Sequence, residues 1–326
     1  MSTATLIDAV RIALAHEMAR DDDVVLLGED IGRNGGVFRA TEGLQERFGT
    51  GRVIDTPLAE AMIGGLAVGM AAQGMKPVAE FQFMGFVFPA FNQIVTAAAR
   101  MRNRTRGRIT MPMVLRMPFG GGIQAPEHHS ESTEALFAHI PGLRVVIPSN
   151  PSRAYGLLLA AIRDPDPVIF LEPKRIYRLV KHELDDNGEA YPLDCCFIDR
   201  EGDDITLVSW GAMMHETMVA AEQLATEGIS SEVIDAATVC PLDIDTILDS
   251  VRKTGRCVIV QEAPRAGGIA SDIAAAIAEK AVLSLLAPVG RVAGYDTIMP
   301  YARMEHLYMP SVERIVEETR RVARFS

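Results

Sequence analysis

The stretch Val53-Ile54-Asp55-Thr56-Pro57-Leu58-Ala59-Glu60-Ala61-Met62-Ile63-Gly64-Gly65 decides how the first half of the chain is read. A short β-branched run, Arg52–Ile54, stops at Asp55, and a proline turn follows. A nearly uncharged segment, Ala61–Met75, then starts behind a single carboxylate, Glu60. The next apolar run is Val78–Phe83, so strand, helix and strand follow one another, the repeating unit of parallel sheets.

Outward from there the alternation continues. Leu6, Ala9, Val10, Ala13, Leu14 and Met18 recur at helical spacing, and Asp21–Asp23 close that helix. Val24–Leu27, Met113–Met117, Leu143–Ile147 and Val168–Leu171 read as buried strands. One helix is expected from Pro89 to about Arg104, and another from Ser149-Asn150-Pro151 to about Arg163, with Ser149 or Asn150 as its cap. Lys174–Asp204 is charged, carries Asp185-Asp186-Asn187-Gly188 and lacks periodicity, so it reads as a connector with an edge strand. The pattern then restarts, with strands at Ile205–Trp210, Glu232–Ile234 and Cys257–Val260 and helices at Met213–Ala225, Asp243–Arg252 and Ser271–Leu286. The expected fold class is α/β, two parallel-sheet domains over residues 1–185 and 186–326.

Composition narrows the function. With 48% hydrophobic and 23% charged residues in 326, the chain is globular and about two domains long. A net charge of −11 argues against nucleic acid and anionic membranes as partners. Ala61–Met75 falls short of the ~20 residues that span a bilayer. Cys195, Cys196, Cys240 and Cys257 show no C-x-x-C spacing, and the first residues lack a secretory pattern. The expectation is a cytoplasmic protein with reduced thiols.

Glu60 has two readings from local chemistry alone. Beside Leu58, Ala61, Met62 and Ile63 it is either a partly desolvated carboxylate fitted to share a proton, or a solvated helix-start residue favoured by the macrodipole. Gly64, Gly65, Gly69 and Gly74 each weaken the following helix by ~1 kcal/mol relative to alanine. Close approach of another helix or of a ligand would offset that cost, and an intersubunit helix contact is the favoured reading. Phe81, Phe83, Phe86, Phe88 and Phe91 form a cluster read mainly as core or interface, with one or two ligand contacts at most. Gly120-Gly121-Gly122 precedes Glu127-His128-His129-Ser130-Glu131, a glycine-hinged loop presenting an imidazole as acid or base, or else a solvated histidine pair. No G-x-S-x-G, H-E-x-x-H or P-loop pattern is present.

At these motifs the sequence resembles the β subunit of the thiamine diphosphate-dependent E1 component of 2-oxo acid dehydrogenase complexes. The resemblance runs through Gly28-Glu29-Asp30, Gly35-Gly36-Val37-Phe38, Asp55 to Glu60, Phe88 to Ile94, His129-Ser130, Pro141 to Val146 and Leu171-Glu172-Pro173-Lys174. It implies a pyrimidine-binding domain followed by a transketolase-type C-terminal domain. It implies that Glu60 holds a proton at N1′ of the cofactor's aminopyrimidine, favouring the imino tautomer that takes the thiazolium C2 proton. Leu58, Gln82 and Phe86 match positions lining the pyrimidine pocket. His129 matches a histidine associated with acyl transfer to the lipoyl group of the E2 acyltransferase.

The resemblance further implies a structural monovalent cation, K⁺, around Ala161, Asp164 and Asp166. Enzymes of this cofactor bind Mg²⁺ and diphosphate through Gly-Asp-Gly, which Gly202-Asp203-Asp204 fails to match. Those ligands are therefore expected on an E1 α subunit in an α2β2 heterotetramer. Gln261 to Gly268 and Gly294-Tyr295-Asp296-Thr297 resemble branched-chain β subunits, so a branched-chain 2-oxo acid is the expected substrate, with pyruvate or acetoin as alternatives. A non-catalytic scaffold and a single-chain transketolase-like synthase are the readings from other classes.

Overall fold

The computed structural model describes residues 2–325. The chain divides into two compact units, one running to Phe119 and resuming over Leu136–Leu193, the other holding Gly120–Ala135 and everything from Asp194 onward.

In the first unit an antiparallel ribbon pairs β1 (Ser2–Thr5) with β8 (Lys181–Leu184). The main sheet contains β2 (Val24–Glu29), β3 (Val53–Thr56), β4 (Lys76–Glu80), β5 (Val114–Phe119), β6 (Arg144–Val146) and β7 (Val168–Pro173), in the order β6-β7-β5-β4-β2-β3. All of these pairings are parallel, Leu26 lying opposite both Val53 and Val78. Strands buried on both faces explain the unbroken apolar runs of β2, β5 and β7.

Local signals set several helix ends. Thr5 and Asp8 form a capping box at the start of Leu6–Arg20. The Asn150 side chain accepts the Arg153 N–H at 3.0 Å, with Pro151 in the first turn of Pro151–Arg163. These two helices pack together, and buried Glu17 accepts the Arg163 guanidinium at 2.6 Å.

Two expectations change here. The segment after Pro89 is no continuous α-helix: a 3₁₀ turn, Met84–Ala90, leads into a π-helical stretch, Ile94–Ala98, before Ala99–Arg104. Such a bulge adds a residue to the turn and is invisible to a 3.6-residue period. The charged stretch around Asp186 is tied down, because the Tyr155 hydroxyl donates to Asp186 at 2.7 Å and accepts the Gly188 N–H at 2.9 Å.

The second unit holds β9 (Phe197–Arg200), β10 (Ile205–Ser209), β11 (Ser231–Asp235), a short β12 (Thr238–Cys240), β13 (Cys257–Pro264) and β14 (Gly290–Gly294). Its sheet order is β14-β13-β10-β11-β9, parallel except for β9, which runs antiparallel at the edge against β11. Helices Met213–Thr226, Ile244–Thr254, Ile269–Lys280 and Val312–Ala323 accompany it. Gly255, at φ 69°, ends the second of these in the left-handed conformation that favours glycine.

Candidate active site

In the first sheet the chain passes from β2 to β3 on one side, and the helix Glu60–Ala72 then carries it across to β4 on the other. The strand order reverses at β2, and ligands of open parallel sheets bind outside the carboxyl ends of the strands at such a point. The segments leaving those ends carry Glu29, Glu60 and Gln82.

Glu60 is the first residue of its helix and is half-buried. Among the described residues its carboxylate has no hydrogen-bond or ion-pair partner, and neither does the half-buried side-chain amide of Gln82. Glu29, part of the Gly28-Glu29-Asp30 landmark but given no role from sequence, stands near Glu60. Burial first, then the charges of Asp30 and Glu60, raise its carboxyl above the ordinary range, so protons are held here more readily than in water. Leu58 presents an apolar side chain 70% exposed. Phe86 is half-buried, edge-on to Phe83 at 5.4 Å between ring centroids, and Phe83 meets Phe38 at 5.6 Å. An unpartnered carboxylate, an unpartnered amide and an aromatic wall are what an aminopyrimidine needs. The residues present fit that group.

Behind this edge lies a polar cluster that sequence reading missed. Arg116 on β5 donates to Glu172 through Nε at 2.6 Å and Nη2 at 3.1 Å, and to Glu80 through Nη1 at 2.9 Å. The Tyr177 hydroxyl donates to Glu172 at 2.6 Å. Burial keeps the Glu80 carboxyl raised despite Arg116, and burial with Glu172 raises the Tyr177 phenol. The available signal was a charge inside each of two apolar strands, Val78-Ala79-Glu80 and Leu115-Arg116-Met117.

His129 belongs to the second unit. It is half-buried at the end of a 3₁₀ turn, Glu127–His129, and its N–H donates to the Pro126 carbonyl at 2.9 Å. His128 is exposed, with Nδ1 3.8 Å from Glu131. Beneath this turn lies a 140 Å³ cavity lined by Ser130, Ser132, Pro264, Met299 and Tyr308 among others.

Of the expected cation ligands, Asp164 is paired with Arg144 at 3.1 Å and Asp166 with Arg102, while the Ala161 carbonyl accepts the Asp164 N–H. Among the described residues no group of three His, Cys, Asp or Glu side chains is placed to hold a metal ion. Asp204, of the imperfect Gly202-Asp203-Asp204 string, accepts the Ser230 N–H at 2.7 Å. All four cysteines are free thiols. No helix among the described residues is long and apolar enough to cross a membrane.

The chain matches the transketolase pyrimidine-binding domain over residues 2–180 and the transketolase C-terminal domain over residues 196–315. It is 49% identical over 325 residues to the pyruvate dehydrogenase E1 component subunit beta of Bacillus subtilis, covering 100% of both chains. It is 50% identical over 324 residues to the protein of the same name in Acholeplasma laidlawii, covering 99% of both. A solved structure described as a split gene transketolase, inactive beta4 tetramer, aligns with a TM-score of 0.82 at 22% identity over 99% of both chains, a likeness of fold.

Proposed function

Because the chain belongs to the thiamine-dependent, transketolase-like family of E1 β subunits of 2-oxo acid dehydrogenases, we propose that it is the β half of a pyruvate dehydrogenase E1 component. The branched-chain expectation gives way to pyruvate, since relatives sharing half of all residues over the full length carry that name. The stretches behind the earlier expectation have structural work. Gln261 accepts the Ala270 N–H at 2.9 Å and donates to the Pro264 carbonyl, and Asp296 accepts the Ala266 N–H at 2.7 Å.

The observation that carries the reading is the unpartnered, half-buried Glu60 at the head of its helix, with Glu29 beside it. Thiamine diphosphate, when bound, supplies the carbon nucleophile and the electron sink for decarboxylation. Glu60 holds a proton at N1′ of the aminopyrimidine, and Glu29, its own carboxyl raised by burial and by the charges of Asp30 and Glu60, stands near it. Gln82 offers the ring a hydrogen bond, while Leu58 and Phe86 cover it and exclude water. His129, on its turn, is placed in the acyl-transfer step to the lipoyl group of an E2 partner, where an imidazole delivers a proton to the opening dithiolane.

The diphosphate end is assigned to an α subunit, because Gly202-Asp203-Asp204 departs from Gly-Asp-Gly and its Asp204 is engaged by the Ser230 N–H. With its Mg²⁺ carried there too, the assembly is an α2β2 heterotetramer. The helix Glu60–Ala72 supports this. Gly64 is explained within the chain, since a Cβ there would lie 2.9 Å from Ala90 Cβ, whereas Gly69 faces open space beside exposed Met62 and Leu66. An uncharged open face on an acidic chain suits a partner subunit. The monovalent-cation site is not carried forward, because arginines engage both of its carboxylates.

Glu60→Gln in the reconstituted α/β enzyme tests the reading and separates it from a scaffold role. Assembly and cofactor binding should persist while decarboxylation falls about 10²-fold or more. Turnover near that of the parent would refute it.

A further inference from the structure

We propose that Glu305 and Glu262 are positioning residues for His129, two buried carboxylates that hold the glycine loop in the shape presenting the imidazole; this rests on the acyl-transfer role given to His129 above. The loop closes at its neck, where the Gly120 N–H donates to the Glu131 carbonyl at 2.9 Å. Inside it, φ is +83° at Gly120, +83° at Gly122 and +60° at Gln124. Alternating left-handed residues turn successive N–H groups toward one side, a concavity that takes an anion. Here the anions are the chain's own. Glu305 accepts Gly122 N–H on Oε1 and Gln124 N–H on Oε2, both at 2.8 Å. Glu262 Oε1 accepts Gly121 N–H at 2.5 Å and the Ser132 hydroxyl at 2.7 Å.

Both strands of the loop are thereby fastened on either side of the Glu127–His129 turn. Such bonds to a charged acceptor are about twice as strong as neutral ones. They also sustain Gln124 in a conformation that a side chain ordinarily avoids. The fit leaves no slack at Gly120, where a Cβ would lie 2.6 Å from Glu262 Oε1. Each glutamate is only 4% exposed, so each acts through the loop rather than by touching substrate.

The test uses the reconstituted α/β enzyme with lipoyl domain. In Glu305→Gln an amide group faces a backbone N–H, and acylation kcat should fall about tenfold or more at unchanged KM for lipoyl domain. Decarboxylation followed with an artificial electron acceptor should stay within about twofold, and Glu305→Asp should recover part of the loss. The double variant Glu305→Gln/His129→Ala should acylate no more slowly than His129→Ala alone, because a residue acting through His129 has nothing left to position. Losses that multiply in the double variant, or equal loss in both assays for Glu305→Gln, would overturn the inference while a selective His129→Ala defect left the role of His129 intact. Equal loss in both assays for His129→Ala would instead remove that role, and the inference with it. Should Glu305→Gln fail to assemble, Ser132→Ala removes one hydroxyl anchor; a selective acylation defect supports the inference, and no defect or a parallel one overturns it.

Discussion

Replacing Glu134 by Gln isolates the most perturbed carboxyl of the second unit. Glu134 is 0% exposed, and its Oε1 accepts the indole N–H of Trp210 at 3.3 Å. Burial, reinforced by the neighbouring Glu262 charge, pushes its carboxyl up to about 8. In the unfolded chain the same group titrates near ~4.3. Between those values the folded state holds a proton that the unfolded state has lost. The group's contribution to stability is therefore full below the unfolded value and drains as pH rises toward 8, at 1.36 kcal/mol per pH unit. Summed from pH 6 to pH 8, the loss is about 2 kcal/mol. Gln keeps the shape and a carbonyl for Trp210 but never ionises, so Glu134→Gln should escape this loss. Urea unfolding at several pH values measures the difference, and Trp210, the only tryptophan in the chain, reports it by fluorescence. Native Trp210 emission should also titrate near pH 8 in the parent and stay flat in the variant. Parallel stability curves for the two proteins from pH 6 to 8 would mean that the folded chain does not hold this proton.

Arg116→Met should destabilise the first unit by about 3–5 kcal/mol, because it leaves Glu80 and Glu172 buried without their cation; denaturant midpoints test this, and a near-neutral effect would mean that the cluster is already protonated. Gly64→Val should cost about 1–3 kcal/mol through its contact with Ala90. Gly69→Asp should leave the isolated chain's midpoint unchanged but block assembly with the α subunit, read by analytical ultracentrifugation. Normal heterotetramer formation by Gly69→Asp would place the interface elsewhere.

How much of this was legible beforehand follows from the range over which each rule acts. The helix through Leu6 to Met18, the Asn150-Pro151 helix start and the strand–turn–helix around Glu60 depend on neighbours a few residues away, and all stand where the pattern put them. The π-helical stretch Ile94–Ala98 escaped because it breaks the period by which helices are recognised. The edge strand expected within Lys174–Asp204 is β9, but its antiparallel direction and the pairing of β1 with β8 escaped, because which distant strand a short segment meets is not written in its own residues.

The site divides in the same way. Sequence alone determined the α/β alternation, the absence of a diphosphate motif and, through the family's motifs, the candidacy of Glu60 and His129. It took the folded chain to leave Glu60 without a partner among the described residues, to bring Glu29 near it and to set Arg116 between Glu80 and Glu172. Only the fold, likewise, brings Glu305 to Gly122 across 183 residues. Strand order chooses such neighbours, and a charge buried by that choice must find a partner or give up its ionisation. No local pattern carries that information.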